Sequence, residues 1–306
     1  MSLIKCLASI SLAAIALPTL HSEPHCPGNI ASLPFHLIHR SRIIVPVVIN
    51  HTGPYEFLLD TGAGSTIVDP ALATELHLKT QGPAEVVGVG YNTHTSFAYL
   101  DLLNAGSHSV ANNPVVLQDL QPLQAPDLHF RGILGEDFLR HFDVLMDYAH
   151  SMLCLDDTKV MQAAVKGGHI ELVTPPQAPN DVPLTQLPII PVHLSGLGAR
   201  QLLLTLDSGA NASFLFNHAV NHLAPELRQT RQREGYGPDG VKRGFSILPP
   251  QGMQIGSLNI PQVTFAAPAD SRENALTSKE DGLLATVLFR RVFISYADRF
   301  VVLDTW

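Results

Sequence analysis

The sequence carries one short motif twice: FLLDTGA at residues 57–63 returns as LTLDSGA at residues 204–210. In each copy an apolar run ends in Asp, and Thr or Ser and then Gly follow. Such a run is typical of a buried strand, which would hold the carboxylate in place, while the glycine lets the backbone turn tightly. One such turn is a weak signal, but two in matching positions predict a site that pairs Asp60 with Asp207.

The surroundings of the motif are repeated as well, which indicates two copies of one structural unit. Each motif follows a second apolar run, at residues 43–50 and 187–194. Further along, GILG at residues 132–135 corresponds to GLLA at residues 282–285. Because these features keep nearly the same spacing, the sequence predicts that both halves of the chain share one topology.

The fold class follows from the form of the apolar runs. Most of them are short and bounded by Gly, Pro or Asn, which favours an all-β fold with few helices. We assign residues 33–157 to an N-terminal lobe, residues 158–183 to a linker and residues 184–306 to a C-terminal lobe. A short helix is expected after each motif, capped by Asp69 in the first half and by Asn217 in the second.

The N-terminus has the form of a signal peptide at residues 1–22. Its apolar run, residues 6–17, is too short to span a bilayer; the alternative is a buried N-terminal helix. We therefore expect a secreted or periplasmic protein that makes no stable membrane insertion once the signal is removed. Cys26 and Cys154 would remain, either as a disulfide in an oxidising compartment or with Cys154 as a buried free thiol.

The composition narrows the class of protein. The chain has 306 residues, a net charge of −8, and 45% hydrophobic against 15% charged residues. This balance is typical of a globular protein and argues against a nucleic-acid partner, which would need a basic face. The 15 histidines are dispersed and form no His-Glu-x-x-His pattern, so neither a metal nor another cofactor is expected. Ser65 lacks the Gly-x-Ser-x-Gly frame of a serine hydrolase.

The motif also resembles a known family. FLLDTGAGST at residues 57–66 resembles the active-site strand and loop of the pepsin and retropepsin superfamily of aspartic peptidases, and GILGEDFL at residues 132–139 resembles its supporting element. The resemblance covers both halves of the chain. It implies two retropepsin-like barrel lobes fused in tandem, related by a pseudo-twofold axis, with the active-site cleft between them. Since one chain would supply both halves of the site, we expect a monomer.

This resemblance implies that Asp60 and Asp207 form a catalytic dyad. Two carboxylates that close share one proton, so one pKa rises and the other falls, as is known for aspartic peptidases in general. One carboxylate can then activate a water while the other, protonated, polarises the scissile carbonyl of a peptide or protein substrate. Four neighbouring residues would support the two loops: Thr61, Gly62, Ser208 and Gly209.

The hairpin that covers the cleft in this family has one candidate in each half. Tyr91 follows a glycine-rich tip in the first half and could act in a flap; Tyr236 lies in a similar segment of the second half. An exposed hairpin with a surface tyrosine is the alternative for both. The second half departs from the family pattern at Ala285, where Gly is usual, and at residues 211–212, which are Asn-Ala instead of Gly-Ser.

Two other classes of protein remain as alternatives to an aspartic endopeptidase. A catalytically inactive peptide-binding protein on the same fold would fit the altered second half. A structural or adhesive β-repeat protein has no need of paired Asp-Thr/Ser-Gly turns, so those turns count against it.

Overall fold

The computed structural model describes residues 25–28, 30–88, 91–124, 129–174, 186–223, 231–236, 241–269 and 280–306. The signal peptide predicted at residues 1–22 lies outside these ranges. The prediction of an all-β chain is confirmed, because strands dominate and the longest described α-helix, α1 (Pro70–Glu75), has six residues. Within the described ranges, no helix has the length and apolar character needed to cross a membrane.

The first half forms an eight-stranded sheet. Its strands are β2 (His36–Ile38), β3 (Arg42–Ile49), β4 (Thr52–Leu59), β5 (Ile67–Val68), β6 (Thr80–Gly88), β7 (Tyr91–Ala105), β8 (His108–Leu117) and β9 (Gly132–Leu134). They lie in the order β2-β3-β4-β9-β5-β8-β7-β6, and β3 also pairs with β7. The short helix α2 (Glu136–Leu139) follows β9.

The second half forms a nine-stranded sheet. Its strands are β13 (Ile189–Leu194), β14 (Gln201–Asp207), β15 (Ser213–Leu215), β16 (Arg231–Tyr236), β17 (Lys242–Ile247), β18 (Gln251–Ile255), β19 (Leu258–Val263), β20 (Phe265–Pro268) and β21 (Gly282–Ala285). They lie in the order β16-β17-β20-β15-β21-β14-β13-β18-β19. Helix α4 (Asn217–Val220) follows β15.

The strand pairing of the first sheet recurs in the second. β4 pairs antiparallel with β3 and parallel with β9, and β14 pairs in the same way with β13 and β21. The antiparallel pair β5–β9 and the parallel pair β5–β8 correspond to β15–β21 and β15–β20. The repeated sequence therefore folds into repeated pairing, and each motif ends the central strand of its sheet.

One difference between the sheets has a cause in the sequence. The first half has a single 15-residue strand, β7, where the second half has the two strands β17 and β18. Between β17 and β18 lie Leu248, Pro249 and Pro250. Proline has no N–H to donate to a neighbouring strand, so the ladder stops there and resumes afterwards.

A third sheet of six strands joins the two halves. Its strands are β1 (Ser32–Pro34), β10 (Asp143–Asp147), β11 (Met152–Asp156), β12 (Ile170–Glu171), β22 (Arg291–Ser295) and β23 (Phe300–Asp304). At its centre β10 of the first half pairs antiparallel with β22 of the second, and Leu145 lies opposite Phe293. Residues 158–183, predicted as a linker, are partly folded here, because α3 (Val160–Ala164) and β12 fall within them; residues 175–183 lie outside the described ranges.

Cys26 and Cys154 form a disulfide, with 5.7 Å between their Cα atoms. The bond ties the N-terminal segment to β11 and is surrounded by an apolar cluster that includes Met161 and Val302. Of the two states that the sequence left open, the structure has the disulfide.

The helix after each motif is present, but only one cap is as predicted. The Asp69 carboxylate accepts a hydrogen bond from the Ala71 N–H (2.8 Å) and caps α1. In the second half the prediction is wrong by one residue, since Phe216 occupies the cap position and Asn217 is the first residue of α4.

Candidate active site

The two motif loops lie against each other. A Cβ placed on Gly62 would be 2.8 Å from the Cγ atom of Asp207, and one placed on Gly209 would be 2.4 Å from Oδ2 of Asp60. Each loop therefore approaches the aspartate of the other half at a distance that only glycine permits. The Asp60 and Asp207 carboxyl groups are close enough for each to shift the pKa of the other.

The hydroxyl group of each motif forms hydrogen bonds with the opposite half. Thr61 Oγ1 donates to the Leu206 carbonyl (2.7 Å), and Ser208 Oγ donates to the Leu59 carbonyl (2.8 Å). Each hydroxyl oxygen also accepts the backbone N–H of the opposite motif residue at 3.1 Å. All four bonds run to the backbone of the other half, so they fix one loop relative to the other.

Backbone amides hold each carboxylate in position. The Gly62 N–H donates to Asp60 Oδ1 (2.9 Å). The Gly209 and Ala210 N–H groups donate to Asp207 Oδ1 at 2.8 and 2.9 Å. Since one oxygen of each carboxylate is bound by the loop, the other remains for the partner carboxyl or for a bound molecule.

The two carboxyl groups differ electrostatically. Burial raises the pKa of Asp60 above its ordinary value, although the Gly62 N–H, the Asp207 carboxyl and the charge of Arg42 act in the opposite direction, so neither pKa falls as the sequence predicted. Burial and the negative charge of Asp60 together raise the pKa of Asp207 well above its ordinary value. Asp60 is also the more exposed of the two. The pair can therefore hold one proton, with Asp207 as the protonated member.

Behind each loop lies the supporting element noted in the sequence. A Cβ on Gly135 would be 2.5 Å from the backbone carbon of Ser65, so this position of the first half requires glycine. The Gly135 N–H donates to Thr66 Oγ1 (3.2 Å), and in the second half the Ala285 N–H donates to Ser213 Oγ (3.1 Å). The departure at Ala285 thus keeps the hydrogen bond of the supporting element.

A buried carboxylate strengthens the first half alone. Asp137 accepts hydrogen bonds from the Thr66 N–H (2.9 Å) and hydroxyl (2.6 Å) and from the Asn113 amide (3.3 Å). Burial raises the pKa of Asp137, and these hydrogen bonds oppose the increase. Val287 stands at the corresponding position of the second half. In the sequence Asp137 is part of the GILGEDFL segment, but no pattern there marks it as a functional residue.

Two tyrosines at corresponding positions reach towards the opposite half. The Tyr148 hydroxyl is 2.6 Å from Thr286 Oγ1, and the charge of Asp207 adds to the effect of burial in raising the pKa of Tyr148. Burial, then the charges of Glu136 and Asp60, raise the pKa of Tyr296. Their repetition in the sequence is the signal that could have found them.

Glu136 is the counterpart of Thr286 and is fully buried. Among the described residues neither of its carboxylate oxygens has a partner of good hydrogen-bond geometry, and the same is true of the Tyr296 hydroxyl. Burial raises the pKa of Glu136; the positive charge of Arg140 and the N–H of Gln186 act against this increase.

The structure gives the flap candidates a backbone position only. Tyr91 begins β7 and pairs with Gly88 at the tip of the β6–β7 hairpin, and Tyr236 ends β16. The side chains of both tyrosines, and residues 89–90, lie outside the described part of the structure. Within that part, no group of three or more His, Cys, Asp or Glu residues could hold a metal ion.

Comparison with known proteins assigns a class to part of the chain. Residues 45–138 match the sequence model of a family described as aspartyl protease. This segment runs from β3 through the Asp60 motif to α2, so it contains the first of the two loops. The match supports an aspartyl protease family and, with it, a general protease and hydrolase function. No curated protein matches the chain.

Proposed function

We propose that this chain is an aspartic endopeptidase that hydrolyses peptide bonds with a water activated by Asp60 and Asp207. The observation that carries the proposal is the close approach of the two loops, in which each motif glycine lies against the aspartate of the other half and the hydroxyl groups bond across the two halves. The family match covers the Asp60 loop, and the Asp207 loop repeats its geometry.

The difference between the two carboxyl groups suggests a role for each. Asp60, the more exposed and more readily ionised, accepts a proton from water as the water oxygen attacks the carbonyl carbon. Asp207, protonated, donates a hydrogen bond to the carbonyl oxygen, which takes up the electron pair. The tetrahedral intermediate then collapses, the C–N bond breaks, and the proton held by Asp60 passes to the leaving amine. No covalent enzyme intermediate forms.

The arrangement that we propose around this dyad is a cleft between two lobes, residues 33–157 and 184–306. The repeated strand pairing supports it, and the β6–β7 hairpin is the proposed cover, with Tyr91 at its tip. Because one chain carries both aspartates, we propose that the monomer is active.

We also propose that the protein is exported. The disulfide between Cys26 and Cys154 supports a secreted or periplasmic location, because disulfides persist in oxidising compartments and are rare in the cytosol. The apolar segment at residues 6–17 would then be removed with the signal peptide.

The dyad is tested by replacing each aspartate with asparagine and assaying internally quenched peptides from about pH 3 to about pH 8. Asp60→Asn and Asp207→Asn should each lower kcat by at least about a thousandfold, since neither carboxyl suffices alone. The double variant should be no worse than either single one. Asp69→Asn is the matched control, because asparagine caps a helix as well as aspartate does.

Two results would count against the mechanism. Substantial hydrolysis by folded Asp207→Asn protein would reject a shared dyad even if Asp60 proved essential. Peptide binding by the wild-type chain with no hydrolysis at any pH would favour the inactive peptide-binding protein. Pepstatin-like compounds, whose hydroxyl mimics the tetrahedral intermediate, should bind the wild type more tightly than either variant.

A further inference from the structure

Arg42 lies beside the dyad because of the strand register. In the β3–β4 pair, Ile44 lies opposite Leu58. Continuing this register by two residues towards the loop places Arg42 opposite Asp60. Side chains of directly opposed residues project from the same face of a sheet, so the guanidinium and the Asp60 carboxylate share one face. The charge of Arg42 accordingly lowers the pKa of Asp60.

The surroundings of Arg42 are apolar. Its backbone partner on β2 is Ile38, and Ile38, Ile44 and Leu58 all belong to one buried hydrophobic cluster. The Arg42 side chain is half-buried, and burial lowers its pKa. A cation in such a place is costly unless an anion accompanies it.

Few interactions of the guanidinium offset the free-energy cost of placing its charge in apolar surroundings. One terminal nitrogen donates to Nδ1 of His39 (3.2 Å), and Nε has no hydrogen-bond partner. No carboxylate of a described residue forms an ion pair with Arg42. Asp60, whose charge raises the pKa of Arg42, is itself bound by the Gly62 N–H and by Asp207.

At the corresponding position the second half has no cation. There Ile189 lies opposite Thr205, and the Leu206 N–H donates to the Pro188 carbonyl (2.9 Å), so the same register continues to the loop. It places Leu187 opposite Asp207. The site is therefore flanked by a positive charge beside Asp60 and by an aliphatic side chain beside Asp207.

We propose that Arg42 is a specificity-determining residue that binds a carboxylate of the substrate on the Asp60 side of the scissile bond. The planar guanidinium can donate two parallel hydrogen bonds to a carboxylate, and among the described residues His39 is the only hydrogen-bond partner of the Arg42 terminal nitrogens. The substrate class is then peptides with an acidic residue in that position. This inference rests on the proposed peptidase function.

The kinetic test uses C-terminally amidated quenched peptides that are identical except for Glu or Gln at one position, scanned on both sides of the scissile bond. At one position the wild type should show a kcat/KM about ten to a hundred times higher for Glu than for Gln, as expected for a charge-assisted pair. Arg42→Gln should remove this preference. Arg42→Lys, which keeps the positive charge but not the two parallel N–H donors, should retain part of it.

Two controls accompany this series. Arg131→Gln removes a cation from the same sheet that pairs with Glu75 (3.1 Å), and it should leave the Glu/Gln ratio unchanged. A neutral peptide with a free C-terminus distinguishes the two sources of a carboxylate: a gain over its amide would assign the site to a chain terminus, and no gain would assign it to a side chain.

A binding experiment separates this inference from the proposed function. Fluorescence anisotropy measures the affinity of the same Glu and Gln peptides for Asp207→Asn protein, with and without Arg42→Gln. Tighter binding of the Glu peptide that depends on Arg42 would support the inference even if the wild type hydrolyses nothing. Equal affinities, or a preference that survives Arg42→Gln, would overturn it whether or not the chain proves to be a peptidase.

Discussion

The two halves of this chain share a backbone arrangement and differ in the charges around it. Both present an aspartate at the end of a central strand, bound by loop amides and locked by a hydroxyl from the other half. Beside Asp60, however, lies the cation Arg42, and the supporting element behind its loop carries the buried acids Glu136 and Asp137. The corresponding positions near Asp207 are Leu187, Thr286 and Val287.

The repeat therefore preserves the shape of the two motif loops and not the charges around them. A paired site needs two loops of the same shape, since each glycine must clear the carboxyl group of the opposite half. It does not need two equal carboxyl groups, because two carboxyl groups this close share one proton whether or not their surroundings match. The positive charge of Arg42 beside Asp60 and the aliphatic neighbour of Asp207 are consistent with Asp207 as the protonated member.

The largest effect is expected from a substitution in the supporting element, where the first half has Gly135 and the second half has Ala285. Gly135→Ala would put a Cβ 2.5 Å from the Ser65 backbone, which cannot move without displacing the Asp60 loop. We expect a loss of at least about 4 kcal/mol of folding free energy, measured by urea denaturation, together with loss of peptidase activity.

The reverse change in the second half is the matched control. Ala285→Gly removes a methyl group at a position that already carries one, and it should cost about 1 kcal/mol or less. If the Gly135→Ala protein were as stable as the wild type, the first half would tolerate alanine at this position as the second half does. The two halves would then not differ here.

The disulfide gives the next largest expected effect. Cys154 of the first half corresponds to Val302 of the second, and both side chains lie in the same apolar cluster. The double variant Cys26→Ala/Cys154→Val should lower the free energy of unfolding by about 2–4 kcal/mol, because the bond closes a long loop in the unfolded chain. Urea denaturation of the variant and of oxidised and reduced wild type measures it. Equal stability of the variant and the oxidised wild type would contradict the expectation.

The sequence predicted those parts of the site that are encoded locally. Each aspartate and its glycine follow an apolar run, a pattern that predicts a strand and then a turn. The repeat puts the two motifs in equivalent positions. The partners of the Thr61 and Ser208 hydroxyl groups could not be read in this way, because they lie on the opposite half.

Residues that act through register or long-range contacts were missed. In the sequence, Arg42 only marks the start of an apolar run. Its position opposite Asp60 follows from the β3–β4 pairing. Tyr148 and Tyr296 repeat in the sequence, but the contact of Tyr148 with Thr286 depends on how the shared sheet joins the halves. Likewise, α3 and β12 are too short to show a periodic pattern, so their segment was predicted as linker.

The smallest expected effect is a change in pH dependence that follows from the charge beside Asp60. In the proposed mechanism Asp60 must be ionised to accept a proton, so kcat/KM rises as pH increases through the pKa of Asp60. Arg42 favours the ionised form and lowers that pKa. Arg42→Gln should therefore raise the pKa and move the acidic limb of the profile to higher pH, whereas Arg42→Lys should leave the limb near its wild-type position.

The matched control is Leu187→Gln, which places the same uncharged side chain beside Asp207. It removes no charge, so it should change the rate without moving the acidic limb. The carboxyl groups of the site that can contribute to the limb are Asp60 and Asp207. A limb that stays fixed in Arg42→Gln would mean that Arg42 does not set the pKa of Asp60 in solution. The two aspartates would then owe their difference to burial and to each other alone.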